Sequence, residues 1–303
     1  MRKRGYSDAL ATGTVAAGGT LGQMIPPSGA LIVFGIIAEQ SIGKLFTAAI
    51  VPGLTQALFY CAVIWIAVRL RPHVAPASDR ASWAERWHAL GKIADMIVLI
   101  ALVIGGIALG WFSPSEAASI GAAGALAIAA WRKRLNRAML MQAFDETLRT
   151  SGLILMVIIG ALVFSVFVSV TGLTDAIGAW VTGLGLGTVP TLILVALILL
   201  LLGSVLDGLA LMLLTTPILL PVVEGVGMSA IWFGIFLCRA MEIGFVHPPV
   251  GMNLFVIQGV AKDVSINRIF KGVLPFLASD LLHLLILILF PALALGLPEL
   301  LGN

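Results

Sequence analysis

The sequence predicts an all-helical protein that crosses a membrane about seven times and contains one re-entrant hairpin. Three observations support this fold class. Of the 303 residues, 60% are hydrophobic and only 11% are charged, whereas a soluble domain carries about 25% charged residues. Eight apolar segments approach or exceed the length of about 20 residues that a spanning helix needs. Lys and Arg fall between these segments, as is typical of the loops that flank membrane spans.

The apolar segments follow one another along the chain, and one of them is too long for a single span. Segment 188–222 is interrupted by GSVLDGLA at residues 203–210 and again by Pro217 and Pro221. A straight span does not need that length, so a hairpin that returns to its own side is predicted here. The eight segments are residues 8–37, 46–70, 94–111, 115–131, 150–171, 188–222, 230–257 and 272–297.

The basic residues support the hairpin because loops rich in Lys and Arg stay on the cytoplasmic side. With a hairpin at 188–222, four basic clusters share one face, only Lys44 lies opposite, and Arg239 lies within a span. A full span there would move the fourth cluster across the membrane. The clusters are Arg2, Lys3 and Arg4; Arg69, Arg71, Arg80, Arg86 and Lys92; Arg132, Lys133, Arg134, Arg137 and Arg149; and Lys262, Arg268 and Lys271.

Residues 69–92 form the only long polar connector of the sequence. Within it, SWAERWHAL places Trp83 and Trp87 four residues apart, on one face of a helix that is predicted to lie in the membrane interface. Residues 136–149 have a similar pattern. For both stretches a scaffold role is favoured over a functional one.

Two stretches of the sequence form an internal repeat. LGQMIPPSGALIVF (21–34) aligns with IGFVHPPVGMNLFV (243–256), and SIGKLF (41–46) aligns with SINRIF (265–270). An odd number of predicted crossings separates the copies, so they should be inverted in the membrane. Such duplicated halves are typical of transporters, whose binding site lies where the halves meet near the bilayer midplane.

Each copy of the repeat has adjacent prolines, at 26–27 and 248–249, which should interrupt its helix. Non-helical backbone at membrane depth is tolerated where it is buried in protein or lines a cavity. Freed carbonyls can coordinate a cation, and half-helix N-termini can face an anion. The alternative is a proline kink used for packing, but two matched copies beside a broken hairpin favour a binding site.

The repeat also predicts how the chain is organised. The second copy contains about 150 residues before its proline pair, whereas the first contains only 25. About 125 residues are therefore expected to be missing before Met1, through truncation of the gene or an internal start codon. The predicted parts are the remainder of the first repeat (1–70), a cytoplasmic connector (71–93), second-repeat scaffold helices (94–187), and the second hairpin, broken helix and last span (188–303).

Ionisable residues within spans are costly and point to function by default. Arg239 and Glu242 are three residues apart, so they share a helix face and can pair. A structural ion pair is the favoured interpretation, and a bidentate contact of Arg239 with a substrate carboxylate is the alternative. Asp207, a lone acid beside glycines, is interpreted as functional. Three further acids near span ends are predicted to be interfacial: Asp95, Glu116 and Asp280.

Five motifs together resemble the large membrane (M) subunit of tripartite ATP-independent periplasmic (TRAP) transporters, in the ion-transporter superfamily. They occur in the family's order and cover essentially the whole sequence. The motifs are AAGGTLGQMIPPS (16–28), EQSIGKLF (39–46), WFSPSEAASIGA (111–122), LDGLALMLLTTPILLPV (206–222) and MEIGFVHPPVGMNLFV (241–256).

The resemblance implies an elevator-type secondary transporter of the bacterial inner membrane, with no enzymatic activity. Sodium (Na+) symport would drive uptake of a small carboxylate, such as a C4-dicarboxylate. A periplasmic substrate-binding protein would deliver the substrate, and a small TRAP membrane subunit would join the large one. Two alternatives stay open: a non-transporting fragment left by truncation, and a carboxylate symporter of the same superfamily that needs no binding protein.

The resemblance also implies two sodium sites, each formed by a hairpin tip and the broken helix of its own repeat, with substrate between the tips. The second site would use Gly203, Ser204, Asp207, Gly208, Pro248, Gly251 and Asn253. The first would use Gly19, Thr20, Gly22, Pro26 and Ser28, with a tip expected in the missing portion. Candidate substrate residues are Arg239, Glu242 and His247.

His247 departs from the family, which commonly has Thr or Ser before the prolines. A histidine here can hydrogen-bond substrate, respond to pH, or cap the broken helix.

The sequence gives little support to metal-binding, disulfide-bonded or nucleic-acid-binding classes of protein. The four histidines are scattered, and Cys61 and Cys238, both in apolar runs, are interpreted as packing residues. No nucleic-acid partner is expected, because the basic residues separate apolar segments and do not form a patch.

Overall fold

The computed structural model describes residues 1–2, 5–76, 82–248 and 250–301. These residues form fourteen α-helices, one short 3₁₀ helix (Pro72–Val74) and no strand. The helices are α1 (Asp8–Met24), α2 (Gly29–Ile37), α3 (Ile42–Leu70), α4 (Trp83–Gly91), α5 (Ala94–Ala108), α6 (Pro114–Trp131), α7 (Arg137–Val170), α8 (Leu173–Gly183), α9 (Thr188–Gly203), α10 (Gly208–Gly225), α11 (Ala230–Val246), α12 (Met252–Val260), α13 (Ile266–Leu289) and α14 (Ala292–Leu300).

The chain divides into two compact units. The larger unit comprises Met1–Pro76 and Val157–Asn303, and the smaller unit comprises Ala77–Met156. Both copies of the repeat and the predicted hairpin belong to the larger unit. Lys3, Arg4, Arg80 and Pro249, which figure in the sequence predictions, lie outside the described residues.

The predicted all-α polytopic membrane fold is confirmed. Among the described residues, α3, α7, α10 and α13 are each long and apolar enough to span a membrane. Two bent pairs raise the number to six: α1 with α2, bent by 42°, and α4 with α5, bent by 59°. The predicted spans 94–111 and 230–257 contain the shorter helices α5 and α11, which end before Gly110 and His247.

The stretch 136–149 does not form a separate interfacial helix, contrary to the sequence prediction. It is the first part of α7, a continuous helix of 34 residues. No proline interrupts this segment, and its internal glycines lower helix stability without stopping the helix. By contrast, Trp83–Gly91 does form a distinct helix, closed at its start by a reciprocal capping box between Ser82 and Glu85.

Segment 188–222 is a hairpin, as predicted. Helices α9 and α10 are joined by residues 204–207, and the two open ends meet, because the Thr188 hydroxyl donates to the Val226 carbonyl (3.2 Å). Pro217 and Pro221 do not interrupt α10 a second time, contrary to the prediction. Pro221 cannot donate to the Pro217 carbonyl, but the Thr174 hydroxyl donates to that oxygen instead (3.5 Å).

The two copies of the repeat run in opposite directions within the larger unit. The start of the first broken helix lies against the end of the second, where Arg2 pairs with Asp263. The end of the first long span is at the same level, since the Ser7 amide donates to the Val74 carbonyl (2.9 Å). Because α1 begins where α3 ends and α12 ends, the repeat is inverted.

Helix α1 also packs directly along α13. A Cβ atom added at Gly13 would lie 2.2 Å from the Gly272 carbonyl oxygen, so only glycine permits the two backbones to approach this closely. Small residues at helix crossings are the usual means of close packing within membranes. The contact joins the first helix of one repeat to the last long span of the other.

Basic residues from different clusters lie close together within each unit. In the larger unit, Arg2 and Arg268 meet on Asp8 at 2.7 and 3.3 Å. In the smaller unit, Arg132 pairs with Asp95 (2.6 Å) and donates to the Lys92 carbonyl (2.6 Å). Residues of the first and fourth clusters are therefore close together in the larger unit, and residues of the second and third are close together in the smaller unit. The common membrane face of all four clusters stays a prediction.

Candidate ion and substrate site

The second broken helix is interrupted at the predicted position. Helix α11 ends at Val246, and α12 begins at Met252. The His247 amide still reaches the Gly244 carbonyl (3.4 Å). Gly251 precedes α12 with φ +23° and ψ 89° and no side-chain cap. Because the last four carbonyls of a helix have no partner within that helix, the carbonyls at the end of α11 are candidate ligands for a cation.

The hairpin tip packs against the end of α11, one turn before the break. A Cβ atom added at Gly244 would lie 2.5 Å from the Gly203 carbonyl oxygen. One added at Gly208 would lie 2.5 Å from the Met241 Cε and 2.7 Å from the Phe245 ring. These glycines therefore permit backbone contact between the tip and the broken helix. The C-terminal ends of α9 and α11 meet at this point.

Asp207 has a structural role that the sequence did not reveal. Its Oδ1 accepts hydrogen bonds from the backbone amides of Leu209 (3.0 Å) and Ala210 (3.1 Å), so it is the N-cap of α10. The Ser204 hydroxyl donates to the Leu201 carbonyl (2.7 Å). The lone acid beside two glycines thus serves helix capping, and a role as a sodium ligand would come in addition.

The first broken helix is closed by its own side chains. Ser28 accepts from the Leu31 amide (3.3 Å), which caps α2, and donates to the Gln23 carbonyl. Pro26 is buried beside it. The Thr20 hydroxyl donates to the Ala17 carbonyl (2.8 Å). Of the other residues predicted for the first site, Gly19 and Gly22 are exposed on α1.

His247 lies at the break with an unsatisfied ring nitrogen. Its Nδ1 is buried and has no hydrogen-bond partner among the described residues. Pro248 and Asn253 are half-buried on either side of Gly251. The Nδ1 atom of His247 can therefore hydrogen-bond a ligand. The backbone of His247 forms the C-cap of α11.

Arg239 lies in a buried ion cluster, which agrees with the structural ion pair favoured from the sequence. Its NH1 donates to Glu242 (2.8 Å), its NH2 to Asp280 (2.6 Å), and its Nε to His283 Nδ1 (3.1 Å). Arg239 and Glu242 are fully buried and Asp280 is 1% exposed. The prediction that Asp280 is interfacial was wrong, because it lies in the middle of α13.

The cluster continues into α3 and α1 through neutral side chains. His283 Nε2 is 2.9 Å from the Thr55 hydroxyl, and Gln56 Nε2 donates to the Tyr60 hydroxyl (2.9 Å). That hydroxyl is 3.4 Å from Thr20. Asp280 and His283 were not predicted as partners of Arg239, although their i, i+3 spacing within a span indicates a shared polar face.

In the part of the chain that the structure describes, no three His, Cys, Asp or Glu residues are arranged to hold a metal ion. These residues therefore form no metal site made of acidic or imidazole side chains alone. A cation at the second break would therefore rest mainly on backbone, amide and hydroxyl oxygens, which are hard donors.

An inverted pair of broken helices with a re-entrant hairpin packed on one of them defines the class: a secondary-transporter membrane subunit. Residues 1–293 match the family model described as "Tripartite ATP-independent periplasmic transporter, DctM component". The chain belongs to this family. It is a transporter permease and not an enzyme, and proteins of this family lie in the bacterial inner membrane.

Curated relatives cover the chain from end to end. The chain is 34% identical over 306 residues to the C4-dicarboxylate TRAP transporter large permease protein DctM of Pseudomonas aeruginosa, covering 100% of this chain and 70% of that protein. The Rhodobacter capsulatus protein of the same name is 33% identical over 317 residues, covering 100% and 71%. A sialic acid TRAP transporter large permease protein, SiaM of Vibrio cholerae, is 31% identical, covering 99% and 70%.

Proposed function

We propose that this chain is the large membrane subunit of a sodium-coupled, elevator-type transporter that imports a small organic acid, such as a C4-dicarboxylate. The observation that carries the proposal is the meeting of the α9 and α11 C-termini at Gly203 and Gly244, beside the break at 247–251. Helix C-termini carry partial negative charge. Two of them converging beside uncapped backbone favour a cation.

The sodium ligands would come from both sides of this contact. The tip contributes Gly203, Ser204, Asp207 and Gly208, and the broken helix contributes Pro248, Gly251 and Asn253. The N-termini of α10 and α12 carry partial positive charge and suit an anionic substrate. The ion would thus bind at the C-terminal helix ends, and the substrate at the N-terminal helix ends, of the hairpin tip and the second broken helix. This shared position is a physical basis for coupling the two.

The substrate class and the partners rest on the relatives' names. Two similar permeases are named for C4-dicarboxylates and one for sialic acid, all of them organic acids. A tripartite transporter also implies a periplasmic substrate-binding protein and a small membrane subunit as partners. One relative, from Oleidesulfovibrio alaskensis, is named "Isethionate TRAP transporter permease protein DctMQ", and this chain covers 46% of it.

Uptake into proteoliposomes tests the proposal. The protein is reconstituted with its small subunit and binding protein, and accumulation of labelled succinate is followed under an inward sodium gradient. We expect uptake that disappears when potassium replaces sodium. Equal uptake in both salts would overturn sodium coupling, and uptake without the binding protein would favour the alternative symporter. Failure with a broad panel of organic acids would favour the non-transporting fragment.

Asp207→Asn separates the ion role of Asp207 from its capping role. Asparagine is an equally good N-cap, so α10 should form normally, while a carboxylate ligand is lost. We expect a several-fold rise in the sodium concentration that gives half-maximal uptake. An unchanged sodium dependence would remove Asp207 from the ion site and leave it a cap.

A further inference from the structure

The ion cluster around Arg239 holds more acid than base. Arg239 stays protonated in proteins and has no acceptor atom. Its Nε donates to His283 Nδ1 (3.1 Å), so that nitrogen carries no proton. His283 is then neutral, with its proton on Nε2 facing Thr55 (2.9 Å). One guanidinium therefore faces two carboxyl groups, those of Glu242 and Asp280.

The depth of the cluster makes a net charge unfavourable. Both carboxyl groups and the guanidinium are at most 1% exposed. A buried charge without a partner is strongly disfavoured, and a group in that situation usually neutralises. If both acids were ionised, the cluster would carry an uncompensated negative charge, so one positive charge or one proton has to be added.

Hydrogen-bond partners show where the proton fits. Three buried oxygens in the cluster lack a donor: Glu242 Oε1, Asp280 Oδ2 and Gln56 Oε1. The Tyr60 hydroxyl accepts from Gln56 (2.9 Å) and interacts with the Asp280 carboxylate, so its own proton can go to Asp280. Gln56 likewise lies beside the Glu242 carboxyl group. Each of the two carboxyl groups has one oxygen bound by Arg239 and one orphan oxygen, Glu242 Oε1 or Asp280 Oδ2, that can carry a proton.

We propose that Glu242 and Asp280 together bind one proton, which one of their two orphan carboxyl oxygens carries while the other acid stays ionised against Arg239. A single proton then balances the charge of the cluster. Turning the Gln56 amide over would also supply Glu242 with a donor, but it would leave the excess negative charge in place.

The surroundings of Glu242 include no second cation among the described residues. Its own helix contributes Arg239 and the thiol of Cys238, which is within electrostatic reach. Helix α13 contributes Asp280 and the neutral His283, and α3 contributes the neutral Gln56 and Tyr60. The site is separate from the sodium site at the hairpin tip, and it does not depend on the proposed function.

Infrared spectroscopy of the purified protein tests the proposal without any transport measurement. A protonated carboxyl group absorbs at its own carbonyl stretch, well separated from carboxylates. We expect such a band at neutral pH, shifted downward in D₂O and lost in Glu242→Gln. The exposed acid of α10 provides a matched control, because Glu224→Gln should leave the band unchanged.

A second variant tests whether the two acids share the proton. Asp280→Asn leaves Glu242 as the single acid opposite Arg239, so Glu242 should ionise and the band should disappear, as it does in Glu242→Gln. No band in the wild-type protein, with or without sodium, would overturn the proposal. A band that persists in either single variant would also overturn it, because one carboxyl group would then be protonated independently of the other.

Discussion

The two broken helices have nearly the same local sequence, MIPPSG and VHPPVG, yet their backbones end differently. In the first, Ser28 caps the following helix and also satisfies the Gln23 carbonyl. In the second, Val250 stands at the serine position, Gly251 has φ +23° without a cap, and the buried His247 Nδ1 has no partner in the described structure. One break is closed by its own side chains, and the other stays open to a ligand.

The comparison shows that adjacent prolines interrupt a helix but do not determine whether the interruption binds a ligand. The hydroxyl after the prolines provides internal hydrogen bonds in one copy, and its absence in the other leaves polar groups exposed to a binding partner. The open break is also the one beside the hairpin tip, where Gly203 contacts Gly244. Function is therefore expected to be more sensitive to changes at 247–251 than at 25–29.

The largest expected effect comes from matched glycines. Gly29 and Gly251 align in the repeat, but a Cβ atom at Gly29 meets nothing within 4 Å, whereas at Gly251 it lies 3.0 Å from Leu254 and 3.1 Å from the His247 carbonyl. Positive φ adds strain there. Gly251→Ala should reduce uptake at least about tenfold, the equivalent of ~1.4 kcal/mol, and the larger Gly251→Leu should abolish it while leaving membrane insertion intact.

Gly29→Ala is the control for both variants and should transport at the wild-type rate. The readout is the initial rate of sodium-driven uptake, normalised to the amount of inserted protein. Equal losses at Gly29 and Gly251 would mean that both breaks serve the same purpose. Wild-type uptake by Gly251→Leu would reduce the second break to a kink.

Exchanging the residues after the prolines should affect stability at one break only. Ser28→Val removes the cap of α2 and should cost about 1–2 kcal/mol, seen as a lower apparent thermal midpoint of the solubilised protein. Val250→Ser removes no hydrogen bond and should leave the midpoint unchanged. A loss of stability in Val250→Ser equal to that in Ser28→Val would contradict the different roles assigned to the two positions.

The smallest expected effect concerns the exposed pair that joins the two broken helices, Arg2 and Asp263. Hydrogen bonding from Arg2 holds the pKa of Asp263 below its usual value. A lowered folded-state pKa stabilises the protein above the unfolded pKa, and the contribution disappears as pH falls through the folded value. Arg2→Gln should therefore lower the apparent thermal midpoint slightly at neutral pH.

Salt and acid provide the check on that pair. Because the two side chains are exposed, high salt should screen their attraction and remove the difference between Arg2→Gln and wild type. The same difference should shrink at acid pH. A difference that persists in high salt would mean that Arg2 acts through packing and not through its charge.

Local patterns were enough to predict the hairpin and both breaks. Adjacent prolines stop a helix because of their own ring geometry, and the excess length of 188–222 together with the basic clusters required a return to the same side. Inversion followed from counting the crossings. Each of these predictions depends on neighbouring residues or on the order of segments, which a single sequence contains.

Contacts between distant segments could not be predicted. Helix α10 continues through Pro221, and Thr174, which lies in another helix, donates to the carbonyl that Pro221 leaves without a donor (3.5 Å). The i, i+3 spacing of Asp280 and His283 indicates that they share a helix face, but it does not identify Arg239, 41 residues before Asp280, as their partner. Asp207 was predicted from the sequence to be functional, and its capping of α10 became visible only in three dimensions.

Binding of radiolabelled sodium to the purified protein at equilibrium tests the central claim most directly. If the open second break and the hairpin tip hold sodium, the wild type should bind it saturably. Gly251→Ala should lose most of this binding, and Gly29→Ala should keep it. Equal binding by both glycine variants, or no saturable binding by the wild type, would contradict the account.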